Sequence, residues 1–163
     1  IKNEFTKSSY TFLNFNSNIY TNFNNNFLKI MNSDFEQISI KPGFMKHNGG
    51  LLFRNINTSE YEFKASIKEN HLNAAGFTHG GFIAAFVDAG AGTAAHRTAD
   101  KFCVTISLEL KFIAAVNLGQ ELIGRVKIQK KTKSMVFLTC KLTVLNKTVA
   151  TASGVWKILK KLS

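Results

Sequence analysis

Between Gly80 and His96 the chain reads GGFIAAFVDAGAGTAAH, in which ten residues are Gly or Ala and a single one, Asp88, is acidic. Such a segment has no polar face to give to solvent, so it is expected to form a buried helix. Its small side chains let other backbones approach closely. Each interior glycine costs about 1 kcal/mol relative to alanine in a helix, so packing has to hold the segment together. A chain with one helix of this kind must also supply the surface that wraps it.

That surface is legible on both sides of the helix. Tyr61, Phe63, Ala65 and Ile67 alternate with Glu62, Lys64, Ser66 and Lys68, the period of two of a half-buried strand. Beyond the helix, Val104, Ile106, Leu108, Leu110 and Phe112 alternate with Thr105, Ser107, Glu109 and Lys111. Three more strand-like runs cover 121–128, 134–145 and 149–159. The last two are joined through Asn146-Lys147, where an asparagine tolerates positive φ. One strand, one helix and four strands, in that order, predict an α+β domain in which a curved antiparallel sheet wraps one central buried helix. Ahead of these, a short helix is expected over 34–38, capped by Ser33 or Asp34, before Pro42-Gly43 forces a turn. A loop containing His47, Asn48, Gly49 and Gly50 follows.

Composition narrows the class. With 163 residues, 45% apolar and 19% charged, the chain suits one globular domain with a real core and excludes wholesale disorder. No apolar run approaches the roughly 18 residues of a membrane span, and the opening lacks a secretory signal, so a soluble, cytoplasmic protein is expected. Cys103 and Cys140 both sit in strand-like runs, and two cysteines make neither a disulfide framework nor a metal knuckle; reduced thiols are expected. The 21 Lys and Arg against 10 Asp and Glu give a net charge of +11, which attracts polyanions: nucleic acid, anionic lipid or a phosphorylated small molecule. Residues 1–30, with eight Asn and five Phe, differ from the rest and are expected as a low-complexity tail outside a domain of 31–163. Met31 is then a candidate functional start. An organelle leader is the alternative for the tail, although such leaders are Arg-rich and this stretch has no arginine.

The chemistry concentrates just before and within the helix. His71, Asn73, Gly76, His79, Gly80, Gly81 and Asp88 spell H-x-N-x2-G-x2-H-G-G-x6-D. With NGGLLFR at 48–54, KKTKSMVFLTCKL at 130–142 and ASGVWKIL at 152–159, the chain resembles the PaaI-type branch of the hotdog-fold acyl-CoA thioesterases over about residues 43–159. The resemblance implies a single hotdog domain that hydrolyses an acyl- or aryl-CoA thioester to the free acid and CoA, with no cofactor and no metal. It implies Asp88 as the catalytic acid, a Ser or Thr near the position of Thr105 in contact with it, and basic residues for the coenzyme A phosphates where this chain has Lys130, Lys131 and Lys133. It also implies obligate homodimers with interface sites, often paired into homotetramers.

The residues themselves support part of that picture. A thioester hydrolase must stabilise negative charge growing on a carbonyl oxygen, and unpaired N–H groups at a helix N-terminus, here those of Gly80 and Gly81, do so without any side chain. The same two glycines would equally make a plain tight turn. A carboxylate in an otherwise uncharged helix is costly to bury, so Asp88 has to be paired, hydrogen-bonded or set against a cavity, and acids so placed cluster at active sites, where Asp88 would act as base or nucleophile. Eight residues separate it from Gly80, about 12 Å along one helix. A two-fold dimer with antiparallel central helices would bring Gly80 of one copy to Asp88 of the other.

Asn73 can hold the attacking water or the substrate carbonyl, although an Asx turn would use the same atoms. His79 is expected to orient the carbonyl and not to transfer a proton, and His71 to order the loop. Strand alternation puts Thr105 on the face opposite Val104 and Ile106, which argues against its reaching Asp88. Lys130, Lys131 and Lys133 fit either phosphate contacts or a solvated turn.

Other classes fit less well. No serine lies in a G-x-S-x-G elbow, and His71, His79 and Asp88 lack the spacing of a metal site. A hotdog hydratase or dehydratase shares the fold, but the Pro-rich segment usual around the histidine of those enzymes is missing. A non-catalytic acyl-CoA-binding module, its charge directed to DNA or a partner protein, remains as the non-enzyme reading. No helix-turn-helix or aromatic RNA motif accompanies that charge, so no nucleic-acid partner is expected.

Overall fold

The computed structural model describes residues 34–160. These run as β1 (Glu36–Ile38), α1 (Phe44–His47), β2 (Leu51–Asn55), β3 (Glu60–Ser66), a 3₁₀ turn (Glu69–His71), α2 (Gly80–Ala99), β4 (Cys103–Phe112), β5 (Glu121–Lys131), β6 (Met135–Val144) and β7 (Lys147–Ile158). The seven strands form one sheet in the order β1-β2-β3-β5-β6-β7-β4, antiparallel at every pairing. The helix leaves β3, covers one face of the sheet and delivers the chain to β4 at the far edge. This is the α+β arrangement of a curved sheet around one central helix. Among the described residues no helix is long and apolar enough to cross a membrane.

The core lies between α2 and the concave sheet face. Directly paired residues share a face, and the inward set runs across the sheet as Phe63, Gly124, Leu142 and Ala150, then as Val136 and Trp156. Phe63 is the wedge between the layers. A Cβ at Gly90 on α2 would lie 2.5 Å from its ring, and one at Gly124 on β5 closer still. The ring also tilts against Phe86, with centroids 4.7 Å apart. The helix therefore approaches the sheet where three residues supply one aromatic ring and two missing side chains.

Several sequence expectations are corrected. The helix expected over 34–38 is absent: Glu36–Ile38 is strand β1, paired to Leu51–Phe53. The edge of β2 is available to these residues and pairs Glu36, Gln37 and Ile38 with Phe53, Leu52 and Leu51, which satisfies their backbone in a strand. The short helix comes after Pro42-Gly43, at Phe44–His47, and takes in His47, expected in the loop. Two strands, β1 and β2, precede the one read as first. The β6–β7 turn centres on Leu145-Asn146, not Asn146-Lys147; both central residues have positive φ, 47° and 64°, and Val144 pairs with Lys147. That is the geometry of a tight two-residue hairpin.

The helix is also not buried all round. Its inward face carries Phe82, Ile83, Phe86, Val87, Gly90 and Ala91, while Gly81 and Asp88 are exposed and Ala84, Ala85, Ala89 and Gly92 half-buried. Size, not polarity, separates the two faces, which is why the sequence pattern hid the difference. The edge strand β4 is likewise open, with Val104 43% and Ile106 55% exposed.

Cys140 is buried and its thiol pushed up to about 12 by that burial. Cys103 is half-buried and also raised, by burial opposed by the nearby Lys131 charge. Both are free thiols. The readings made for residues 1–30, Met31 and Ser33 lie outside the described residues.

Candidate active site at the mouth of the central helix

The loop entering α2 is stitched by its own polar groups. Asn73 Oδ1 accepts from the backbone amides of Ala75 and Phe77 at 2.9 and 3.2 Å, and the Asn73 amide donates to the Phe77 carbonyl. The side-chain oxygen of Asn73 thus makes the turn, which leaves its NH₂ group as the part able to meet a substrate. Thr78 donates through both its amide and its hydroxyl to the Val116 carbonyl at 2.8 Å, tying the loop to the segment after β4.

His71 lies beneath this loop, 2% exposed. Its Nδ1 accepts from the Lys68 amide at 3.1 Å, its Nε2 donates to the Asn48 carbonyl at 2.9 Å, and its ring stacks on Phe82 with centroids 3.8 Å apart. Burial, mainly, holds its pKa below the usual histidine value; the Lys68 charge acts the same way and the Asn48 hydrogen bond opposes both. A ring that must accept at one nitrogen and donate at the other is the neutral imidazole.

His79 caps α2. Its Nδ1 accepts from the Gly81 amide at 2.8 Å, and its carbonyl accepts from Phe82 and Ile83. Of the two amides expected to face a substrate, that of Gly81 is therefore engaged by the cap. No acceptor among the described residues takes the amide of Gly80, the first residue of the helix, which has no intrahelical partner by geometry. A Cβ at Gly81 would lie 2.9 Å from His79 Nδ1, so the cap itself needs glycine there.

Gly80 opens onto a groove of about 320 Å³ whose walls include Thr78, Ile83, Phe112 and Val116. The Phe112 ring rests on Gly80, with its Cζ 3.2 Å from where a Cβ would stand. In the sequence Phe112 is an ordinary strand residue, because nothing in a period of two marks which residue ends beside a helix N-terminus.

Asp88 stands exposed on α2, and Thr105 Oγ1 donates to its Oδ1 at 2.6 Å. Strand parity argued against this contact, and a β-bulge reverses that parity. Thr105 pairs with Trp156 and Ser107 with Val155, so Ile106 is an extra residue and the strand changes face across it. Thr105 shares the inward face with Leu108 and Leu110, whose partners are Gly154 and Ala152.

Within one chain the structure thus joins Asp88 to Thr105 and His79 to Gly81, and leaves Asp88 about 12 Å along the helix from Gly80. A second bulge, between Ile128 and Lys130, carries Lys130 and Lys131 into β5, paired with Phe137 and Val136, and Lys133 lies in the turn that follows; all three are exposed. The two former therefore belong to a strand and not to the turn. Lys131 acts on Cys103, at the opposite end of β4 from the Phe112 that covers Gly80. Among the described residues no group of three His, Cys, Asp or Glu could hold a metal ion.

Comparison with known proteins agrees with this architecture. The family profile described as thioesterase superfamily matches residues 75–151. A Pseudomonas aeruginosa protein named "Putative esterase PA0474" is 32% identical over 94 residues, covering 56% of this chain and 70% of that protein. Zebra fish thioesterase superfamily member 2 is similar in structure, with a TM-score of 0.65 at 21% identity over 73% of this chain and 88% of that one. The smu.793 protein of Streptococcus mutans, solved bound to acetyl CoA, gives 0.67 at 18% identity over 78% and 100%. The E. coli PaaI protein from the phenylacetic acid degradation operon gives 0.59 at 17% over 62% and 73%. The structural likenesses establish the hotdog fold, and with the family match and the Pseudomonas relative they place the molecule: this chain belongs to the thioesterase superfamily.

Proposed function

We propose that the protein hydrolyses an acyl- or aryl-CoA thioester to the free acid and CoA, at two equivalent sites built across a two-fold homodimer. The observation that carries this reading is the pairing of an unengaged Gly80 amide at a groove with an exposed Asp88 oriented by Thr105. In this mechanism the thioester carbonyl lies against the Gly80 N–H, where the helix terminus favours developing negative charge. Asp88 of the other copy takes a proton from a water that attacks the carbonyl, or attacks the carbonyl itself to give an acyl anhydride that water then hydrolyses. In both routes the carbon–sulfur bond breaks and CoA leaves, taking up a proton as the thiol. The Asn73 NH₂ group and the capping His79 position the carbonyl, with Gly81 holding the cap.

Three features of a single chain support the dimer. Gly80 and Asp88 are too far apart to share one carbonyl, the stripe of α2 around Asp88 is lined by small half-buried residues, and β4 is a ten-residue edge with exposed Val104 and Ile106. An antiparallel pairing of two α2 helices would also carry the lysines of one copy toward the Gly80 end of the other. That fits Lys130, Lys131 and Lys133 as contacts for the phosphates of CoA, and it is consistent with the acetyl CoA bound by the Streptococcus mutans protein. A dimer of dimers would leave these sites intact. No cofactor is required. The net charge of +11 serves the substrate in this reading, not nucleic acid, and the place of action is the cytoplasm.

Release of thiol from a panel of short-, medium-chain and aryl-CoA substrates tests the activity, and Asp88→Asn should lower kcat by about 100-fold or more with little change in KM. Mixing inactive Asp88→Asn and Gly80→Val chains tests the shared site: exchanged dimers should regain activity, because one site in each mixed dimer is whole. Absence of any hydrolysis by the wild type overturns the enzyme reading in favour of a binding module. Failure of the mixture to recover overturns the shared site.

A further inference from the structure

One buried donor is left over by the fold, and it lies beside the candidate catalytic acid. Among the described residues, Trp156 Nε1 is the buried side-chain nitrogen or oxygen without a hydrogen-bond partner, in a residue 1% exposed. Its N–H edge faces α2 at Gly92: a Cβ on that glycine would stand 3.4 Å from Nε1 and within 4 Å of no other atom outside the local helix. Gly92 follows Asp88 by four residues, one helical turn on the same face. From the sheet side, Thr105 is the direct cross-strand partner of Trp156, and its hydroxyl donates to Asp88. The nearby Thr93 hydroxyl already donates to the Ala89 carbonyl and remains within its own helix.

A phenyl ring would bring apolar surface to this core with no donor to satisfy, although it fills less of the space, whereas a buried indole N–H with no acceptor destabilises the fold. The Thr105 oxygen has one proton, given to Asp88, and two lone pairs that can accept. We propose that the Trp156 indole N–H is a positioning donor for the Asp88–Thr105 pair, acting on the Thr105 oxygen through one water lodged where Gly92 lacks a side chain. A water in that place has a donor on one side and an acceptor on the other, as buried waters require. Its effect is to fix the rotation of the Thr105 hydroxyl so that the proton stays on the Asp88 side. The second carboxylate oxygen of Asp88 is then left for the chemistry. This inference rests on the thioesterase reading for its kinetic consequence, but not for the contact itself.

Trp156→Phe removes the N–H and keeps an aromatic, though smaller, ring in the core. It should lower kcat by about fivefold, the worth of one hydrogen bond, leave KM within about twofold and lower Tm only by what the smaller ring leaves unfilled. In a Thr105→Val background the same substitution should cost nothing further, since the acceptor is already gone. Gly92→Ala should reproduce the loss in kcat by occupying the place of the water, which covers the case in which Trp156→Phe folds poorly.

A second measurement needs no turnover. Trp156 is the sole tryptophan, so the emission of the wild type reports its surroundings, and both Thr105→Val and Gly92→Ala should shift it to the blue. Unchanged kcat in Trp156→Phe, an equal loss with and without Thr105, or emission indifferent to both substitutions overturns the proposal. A wild type that hydrolyses no thioester while its emission responds as expected would instead overturn the enzyme reading and leave the contact standing.

Discussion

Thr105 reaches Asp88 because Ile106 is the extra residue of a bulge. Were Ile106 instead a regular member of the ladder, strand alternation back from Leu108 would turn the hydroxyl to the convex face and leave the acid without its donor. Thr105→Val should therefore lower kcat by about tenfold, the loss of one hydrogen bond to a charged group, whereas Thr105→Ser should retain most activity. Deletion of Ile106 leaves Thr105 opposite Trp156 and Ser107 opposite Val155, so it should cost less than Thr105→Val, and Ile106→Val should be nearly silent. Thiol-release kinetics on the four proteins checks the ordering.

The Phe112 ring against Gly80 sets the width of the groove beside the unengaged amide. Phe112→Ala should move the substrate preference toward longer or bulkier acyl groups, by roughly threefold in kcat/KM for each methylene newly buried. A chain-length profile parallel to that of the wild type would refute Phe112 as the limiting wall.

Substituting Lys130, Lys131 and Lys133 together by Gln should raise KM for acyl-CoA by roughly tenfold at low salt, flatten its salt dependence and leave kcat almost unchanged. If the lysines merely solvate the end of β5, KM and its salt dependence will not move. If they serve nucleic acid, retention on DNA or RNA will weaken while thioester kinetics stay intact.

His71 links acidity to stability. The folded protein holds its pKa below the ordinary value, mainly by burial, so the unfolded chain takes up the proton more readily. Its contribution is complete above about pH 6.5, the pKa in the unfolded chain, and is lost as pH falls from there through the depressed folded value. Tm should decline over that interval, and His71→Gln should start lower at neutral pH and decline less. Thermal unfolding from pH 7.5 down to 5 measures both slopes.

The sequence was informative wherever periodicity or chemistry is local. The small-residue run of α2, the alternation of β3 and the later strands, and the helix-mouth motif all follow from neighbours within a few positions. Thr105 was misjudged because a bulge is a relation between two strands, visible only when Trp156 and Val155 are aligned with it. Phe112 was missed because its importance comes from Gly80, thirty-two positions away. The open face of α2 was hidden because glycine and alanine line both its sides, so hydrophobicity carries no direction there.

The order β3-β5 at the centre of the sheet has a kinetic meaning. Glu60 pairs with Lys127 only after the whole of α2 and β4 has been laid between them, whereas β5, β6 and β7 close through short turns. Loop-closure entropy delays the distant pairing. The transition state for folding should hold the β5–β6–β7 meander with α2 resting on it, while β1–β3 join late. Substitutions in Leu138 or Leu142 should then slow folding, and those in Phe53 or Tyr61 should chiefly speed unfolding. The half of the sheet that arrives last is the half carrying Phe63, so until that ring enters between Gly90 and Gly124 the helix is held from one side only.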